Sequence, residues 1–118
     1  MSMKKDKAYL QDMLDAISDI EKFIENITRD EFYKNKEKQY AVLRALEIIG
    51  EVTKKLSKEL KAKHHEVSWR EIAGMRDKLI HDYFDVDIDA VWNTVKQDIP
   101  GLKAKVSEII KELEPNSG

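Results

Sequence analysis

The stretch "VLRALEIIGEV" at residues 42–52 carries apolar side chains at the period of an α-helix. The pattern runs on to residue 60 with alternating spacings of four and three residues, and its members are Val42, Leu46, Ile49, Thr53, Leu56 and Leu60. Such spacing places one stripe along a helix. It therefore predicts an amphipathic helix over about residues 36–61 that buries this stripe against other helices.

Two further stripes of the same period lie on either side of this segment. The first predicts a helix over about residues 4–27, with Leu10, Met13, Ile17, Ile20, Ile24 and Ile27. The last belongs to a C-terminal helix, with Trp92, Val95, Ile99, Leu102, Val106, Ile109 and Leu113. Pro100 and Gly101 interrupt that helix without changing its rhythm, which predicts a kink or a break that restarts in phase. With no strand signals, these stripes predict an all-α, up-and-down four-helix-type bundle with a kinked C-terminal helix.

The composition agrees with one helical domain over residues 1–118, with a frayed tail at 114–118. Only 4 Gly and 2 Pro are present, as is typical of helical proteins. The net charge of -2 gives no global electrostatic case for nucleic-acid binding, so any RNA contact needs a local patch. The absence of cysteine excludes disulfides and thiolate chemistry. No apolar run approaches the roughly 20 residues that span a bilayer, and no signal peptide is evident, so we expect a soluble, cytoplasmic protein.

The connections between the stripes contain helix-start signals. "TRDEFYKNKE" at residues 28–37 reads as a polar connection with room for one helical turn. "SWRE" at residues 68–71 offers a capping box from Ser68 and Glu71, which starts a third helix over about residues 68–84. The acids of "DVDID" at residues 85–89 are suited to capping a fourth helix.

The third helix contains the unusual stretch "GMRDKLIHDYF" at residues 74–84. On a helical wheel, Arg76 falls in the middle of the apolar arc, so it must be paired, extend to solvent or serve a ligand. The structural alternative is an ion pair with Glu47 or Glu51 of the second helix. Tyr83 shares the arc, and without other information it reads as a core aromatic residue.

His81 lies roughly 140° from Arg76 on an ideal helix. Asp77, four residues earlier, can hydrogen-bond the imidazole, although a lone helical histidine is more often a surface residue. Gly74 on the same stripe permits close approach by another helix, a second subunit or a phosphate. Bringing Arg76 and His81 into one site therefore requires a bent helix or a second subunit.

The blocks "VLRALEIIGEV" at 42–52, "VSWREIAGMRDKLIHDYFDVD" at 67–87, "VW" at 91–92 and "DIPGL" at 98–102 closely resemble the HepT-like branch of the HEPN domain superfamily. The resemblance covers about residues 10–113 and includes the motif of arginine, four residues, histidine, one residue, tyrosine. It implies a helical homodimer that acts as a metal-independent ribonuclease toxin, with an RNA substrate and no cofactor. It also implies a minimal nucleotidyltransferase antitoxin, usually called MntA, that transfers AMP to the motif tyrosine.

Carried onto this sequence, the resemblance implies Arg76 and His81 as catalytic residues and Tyr83 as the AMP acceptor. The supporting positions that it implies are Asp77, Asp82, Arg44 and Glu47. A histidine can move the proton of a 2′-OH or a leaving oxygen, and an arginine can hold a phosphate through two hydrogen bonds. No metal-ligand set is evident, since the carboxylates are dispersed and the adjacent His64 and His65 cannot share a helical face.

Two other functions stay open at this stage: a non-catalytic HEPN partner or substrate-binding subunit of a nucleotidyltransferase, and a purely structural helical dimer. The segment "KKLSKELKAKHH" at residues 54–65 also has two interpretations. It is either a basic patch for RNA or, more simply, a solvated helix end whose lysines complement the helix dipole.

Overall fold

The computed structural model describes the backbone of residues 2–82 and 85–114, and the side chains of residues 5–79 and 86–114. Within these residues the chain is helical apart from short connections and one small hairpin. The elements, in order, are α1 (Ser2–Ile24), α2 (Arg29–Lys34), α3 (Lys36–Lys55), α4 (Lys58–Lys63), α5 (Trp69–Ala73), α6 (Met75–Leu79), β1 (Ile80–Asp82), β2 (Asp85–Val86), α7 (Ile88–Asn93), a π-helical turn (Thr94–Asp98) and α8 (Ile99–Leu113). The all-α, HEPN-like bundle predicted from the sequence is confirmed.

The core lies between α1, α3 and α8, where the three predicted stripes meet. Every residue of the stripe from Val42 to Leu60 is buried. The stripe includes Thr53, whose hydroxyl donates to the Ile49 carbonyl at 2.8 Å. The last residues of the outer stripes, Ile24 and Ile27 in the first and Leu113 in the last, are only half-buried. Trp92 lies in the core as predicted, with its ring centroid 5.3 Å from that of Phe32 on α2. The apolar period therefore identified the buried faces correctly.

The predicted second helix is wrong in its extent, since α3 ends at Lys55 and α4 restarts at Lys58. Asp6 of α1 is buried, and its carboxylate accepts hydrogen bonds from the Ser57 backbone N–H at 2.8 Å and the Ser57 hydroxyl at 2.5 Å. The same hydroxyl accepts from the Leu60 N–H and caps α4. A contact from a distant part of the chain thus stabilises a break that the apolar period does not reveal.

The capping signals had mixed outcomes. Ser68 precedes α5, but it makes no side-chain cap hydrogen bond, so the predicted capping box is wrong. Its ψ of 65° departs from the extended backbone that normally aims a cap side chain at the first turn. A complete capping box instead starts α2, between Thr28 and Glu31. Asp87 caps α7 by accepting from the Ala90 N–H, as the acidic connection predicted.

The third helix is not the single helix over residues 68–84 that the sequence predicted. α5 ends at Gly74, a residue that weakens a helix interior, and α6 ends at Leu79. Ile80 then pairs with Val86 in a short antiparallel hairpin, and the Asp87 N–H donates to the Leu79 carbonyl at 3.0 Å. These hydrogen bonds replace those that a longer helix would have made.

The predicted interruption of the last helix takes the form of a wider turn before the proline. In the π-helical turn Thr94–Asp98, the Ile99 N–H donates to the Thr94 carbonyl, five residues back. Pro100 has no N–H, and its ring would crowd the carbonyl four residues earlier in a regular helix. The wider turn accommodates the ring, and the helix continues in phase into α8, where Leu102 and Val106 are buried.

Candidate functional site

Arg76 lies on α6 and forms an ion pair with α3. Its Nε donates to Glu47 Oε2 at 3.0 Å, which confirms the expected pairing with a carboxylate of the second helix. The helical-wheel prediction that Arg76 lies on a buried face is wrong, because 58% of its side chain is exposed. The break at Gly74 leaves Met75 and Leu79 as the buried residues of α6, and the arginine faces solvent. An exposed guanidinium is available to a ligand.

His81 does not belong to the helix that holds Arg76. Its backbone lies in β1, beyond the end of α6, so the roughly 140° separation calculated for one straight helix does not apply. The imidazole lies outside the described side chains, as does the side chain of Asp82, and Tyr83 lies outside the described residues. The hydrogen bond predicted between the His81 imidazole and Asp77, which is exposed on α6, therefore stays a prediction.

The other positions implied by the family motif lie on α3. Arg44 and Glu47 are three residues apart, close to one helix face, and Arg44 Nη1 lies 3.6 Å from Glu51 Oε1. Both side chains of that second pair are more than half exposed, so it contributes little stability. Glu47 is better shielded, with 26% of its side chain exposed. The structure thus brings Glu47 to Arg76 and leaves Arg44 on the adjacent surface.

Gly50 has a packing role that the apolar spacing of the sequence did not predict. A Cβ atom at this position would lie 3.2 Å from the Ile72 carbonyl oxygen and 3.3 Å from that of Ala73. The absence of a side chain therefore lets α5 pack directly on α3, one helical turn beyond Glu47. At Gly74, a Cβ would meet only the carbonyls of its own preceding turn, the nearer at 3.5 Å. Within the described chain, the close approach thus occurs at Gly50.

A groove of about 730 Å³ lies between the α5–α6 segment and the start of α8. Gly74, Met75 and Lys78 form part of one wall, and Gly101 and Lys105 lie across from them. At the edge of the groove, Lys105 Nζ pairs with Glu66 Oε2 at 3.2 Å. The pKa of Glu66 is lowered by a hydrogen bond that its carboxylate accepts from the Glu66 backbone N–H, and to a smaller extent by Lys105. Arg76 is not among the residues lining this groove.

The basic segment at residues 54–65 is partly engaged by the protein itself. The Lys61 ammonium lies 3.5 Å from the Thr53 carbonyl at the end of α3, as expected for a lysine that complements a helix end. His64 is buried, and its Nε2 lies 3.1 Å from Glu112 Oε2, whereas His65 is exposed. These contacts favour the structural interpretation of the segment.

No group of three or more His, Asp or Glu side chains among the described residues is arranged to hold a metal ion. No helix in the described part of the chain is long and apolar enough to cross a membrane.

The fold and the exposed arginine define a small helical-bundle protein with a candidate polar site on α6 and the strand that follows it. A family model described as "Ribonuclease HepT-like" matches residues 13–109. A protein of Thermococcus cleftensis named "Probable ribonuclease HepT" is 50% identical over 105 residues, which are 89% of this chain and 96% of the relative. A Methanocaldococcus jannaschii protein whose name is "Putative RNase MJ1216" is 47% identical over 108 residues, covering 92% of this chain and 89% of the relative. No solved structure matches. The chain belongs to the HepT-like ribonuclease family.

Proposed function

We propose that this protein is an endoribonuclease in which His81 transfers protons and Arg76 holds the scissile phosphate. The 2′-OH of the RNA attacks the neighbouring phosphorus, the bond to the 5′ oxygen breaks, and the leaving oxygen takes up a proton. A histidine suits the proton transfers near neutral pH, and an arginine stabilises the charge that builds on the phosphate oxygens. The steps require no metal ion.

The observation that carries this proposal is an exposed Arg76, five residues before His81, in a chain that belongs to a ribonuclease family. Among the described side chains only Glu47 hydrogen-bonds the Arg76 guanidinium, and it does so at Nε. The two terminal nitrogens have the geometry of a bidentate contact with phosphate.

The proposal extends to the biological setting implied by the family resemblance. The protein acts in the cytoplasm as the toxin of a toxin–antitoxin pair, as a homodimer. Its partner is a minimal, MntA-like nucleotidyltransferase that adds AMP to Tyr83. The added phosphate would lie seven residues after Arg76 in sequence, where its negative charge competes for the guanidinium and repels the RNA backbone.

Cleavage of a defined RNA by purified variants tests the proposal. We expect His81→Ala and Arg76→Ala each to lower the single-turnover rate by at least about 10²-fold, in line with losing a general acid–base or an oxyanion donor. His65→Ala is the matched control, since His65 is exposed and lies outside the site, and it should keep the wild-type rate. Circular dichroism checks that each variant is folded.

Two outcomes would contradict the ribonuclease assignment. A folded His81→Ala protein that cleaves at the wild-type rate would remove the histidine from the chemistry. A wild-type protein that cleaves no RNA but binds the nucleotidyltransferase, while that enzyme transfers AMP to another substrate, would favour a non-catalytic partner subunit.

A further inference from the structure

Glu47 contacts the Arg76 guanidinium at its Nε edge. Its Oε2 accepts from Nε at 3.0 Å, and no other described side chain hydrogen-bonds the arginine. A guanidinium offers five N–H donors in a rigid, planar fork, so a contact at Nε restricts the plane of the whole group. The outer edge, formed by the two terminal nitrogens, keeps the geometry that matches two phosphate oxygens.

The position of Glu47 is itself set by the packing of the backbone. α3 contacts both α5 and α6, and Gly50 brings the Ile72 carbonyl to within 3.2 Å of where a Cβ would lie. The carboxylate is presented from a long helix and is largely shielded from solvent, with 26% of its side chain exposed. The ion pair therefore joins α3 to the helix that follows α5, and α5 packs directly on α3, which distinguishes the pair from the exposed Arg44 and Glu51 on one helix.

We propose that Glu47 is a positioning residue that orients Arg76 for phosphate binding; this inference rests on the proposed ribonuclease function. The carboxylate holds Nε on the α3 side and so fixes the plane of the guanidinium. In this arrangement the substrate phosphate binds at the edge formed by the two terminal nitrogens, and the repulsion between carboxylate and phosphate falls with the distance between them. The ion pair neutralises part of the arginine's charge and at the same time fixes the orientation of the guanidinium.

Steady-state kinetics of RNA cleavage separates positioning from binding. We expect Glu47→Ala to lower kcat by about 10²-fold, the loss that a small misplacement of a catalytic group can cause. KM should not rise, because removing a carboxylate favours the approach of a polyanion. Glu47→Gln should recover part of the lost kcat, because its amide oxygen still accepts a hydrogen bond from Nε.

The matched control is Glu37→Ala, which removes an exposed carboxylate from the first turn of the same helix and should leave both constants unchanged. Thermal unfolding of each variant identifies any general loss of fold. A higher kcat in Glu47→Ala would show that the carboxylate restrains the arginine and would overturn the inference, as would an unchanged kcat. A rise in KM with constant kcat would instead assign Glu47 to substrate binding and would also overturn it.

The two proposals fail in different ways. If the wild-type protein cleaves RNA and Arg76→Ala does not, an unaffected Glu47→Ala variant contradicts only the positioning role. If the wild-type protein cleaves no RNA, the ribonuclease function is wrong, and the role of Glu47 is wrong with it.

Discussion

At the scale of single residues, the surroundings of Arg76 decide what it can do. The helical wheel placed it among apolar side chains, but Gly74 ends α5 and α6 begins a new alignment. Arg76 therefore reaches solvent and pairs with Glu47. The sequence predicted Glu47 or Glu51 as its partner, and the structure shows Glu47. Its exposure was not predictable, because it depends on the relative rotation of two five-residue helices.

The proposed modification of Tyr83 is also a single-residue question. We expect incubation with the proposed MntA-like nucleotidyltransferase and ATP to add the mass of AMP to the peptide that contains Tyr83, as measured by mass spectrometry. Tyr83→Phe should abolish the addition because it lacks the accepting hydroxyl. Tyr40→Phe is the control, since Tyr40 is 66% exposed and offers an accessible hydroxyl away from the motif. Equal labelling of the Tyr83→Phe protein would contradict the assignment.

At the scale of secondary structure elements, the apolar period predicted which faces are buried but not where the helices end. α3 ends because Asp6 of α1 binds Ser57, and α6 ends where the β1–β2 hairpin forms. Both endings depend on residues outside the helix concerned. The glycines illustrate the same limit. The sequence alone does not show that another helix packs against Gly50 and that Gly101 has no such neighbour among the described residues.

Replacing each of two glycines by alanine tests that distinction. Gly50→Ala should lower the free energy of unfolding, because a Cβ 3.2 Å from the Ile72 carbonyl forces α5 away from α3. Overpacking typically costs about 1–3 kcal/mol, which outweighs a gain in helix propensity of about 1 kcal/mol. Gly101→Ala is the matched control: within the described part of the chain nothing lies within 4 Å of the Cβ that alanine would add, so the propensity gain should raise stability.

Denaturant unfolding measures both changes. Equal stabilisation by the two substitutions would mean that α5 moves away from Gly50 at no cost, contrary to the close contact described for α3. The ribonuclease rate of Gly50→Ala is informative as well, since displacing α5 and α6 would also displace Arg76 from Glu47.

At the scale of the whole molecule, α1, α3 and α8 enclose the core, and the proposed site lies outside it at the end of α6. Arg76 is on a helix and the backbone of His81 is on the strand that follows, so a single chain forms the site if the two side chains converge. The sequence predicted either a bend or a second subunit, and the chain does leave the helix between these residues. The proposed homodimer supplies the second possibility.

Mixing two inactive variants tests whether the site is shared between subunits. If each site combines Arg76 of one subunit with His81 of its partner, mixed dimers of Arg76→Ala and His81→Ala proteins contain one intact site and should regain part of the cleavage rate. Either variant alone, taken through the same unfolding and refolding, should stay inactive. Light scattering gives the mass of the species, and a monomer that cleaves RNA at the wild-type rate would contradict the shared site.

The sequence by itself determined the all-α fold class, the three buried stripes, the family and the carboxylate segment that pairs with Arg76. These properties depend on local periodicity and on residue identity, both of which can be read along the chain. Only the tertiary structure decided the ends of α3 and α6, the wider turn before Pro100 and the outward direction of Arg76. The ends of α3 and α6 depend on partners outside each helix, Asp6 for Ser57 and Val86 for Ile80, and the apolar period of a helix carries no information about such partners.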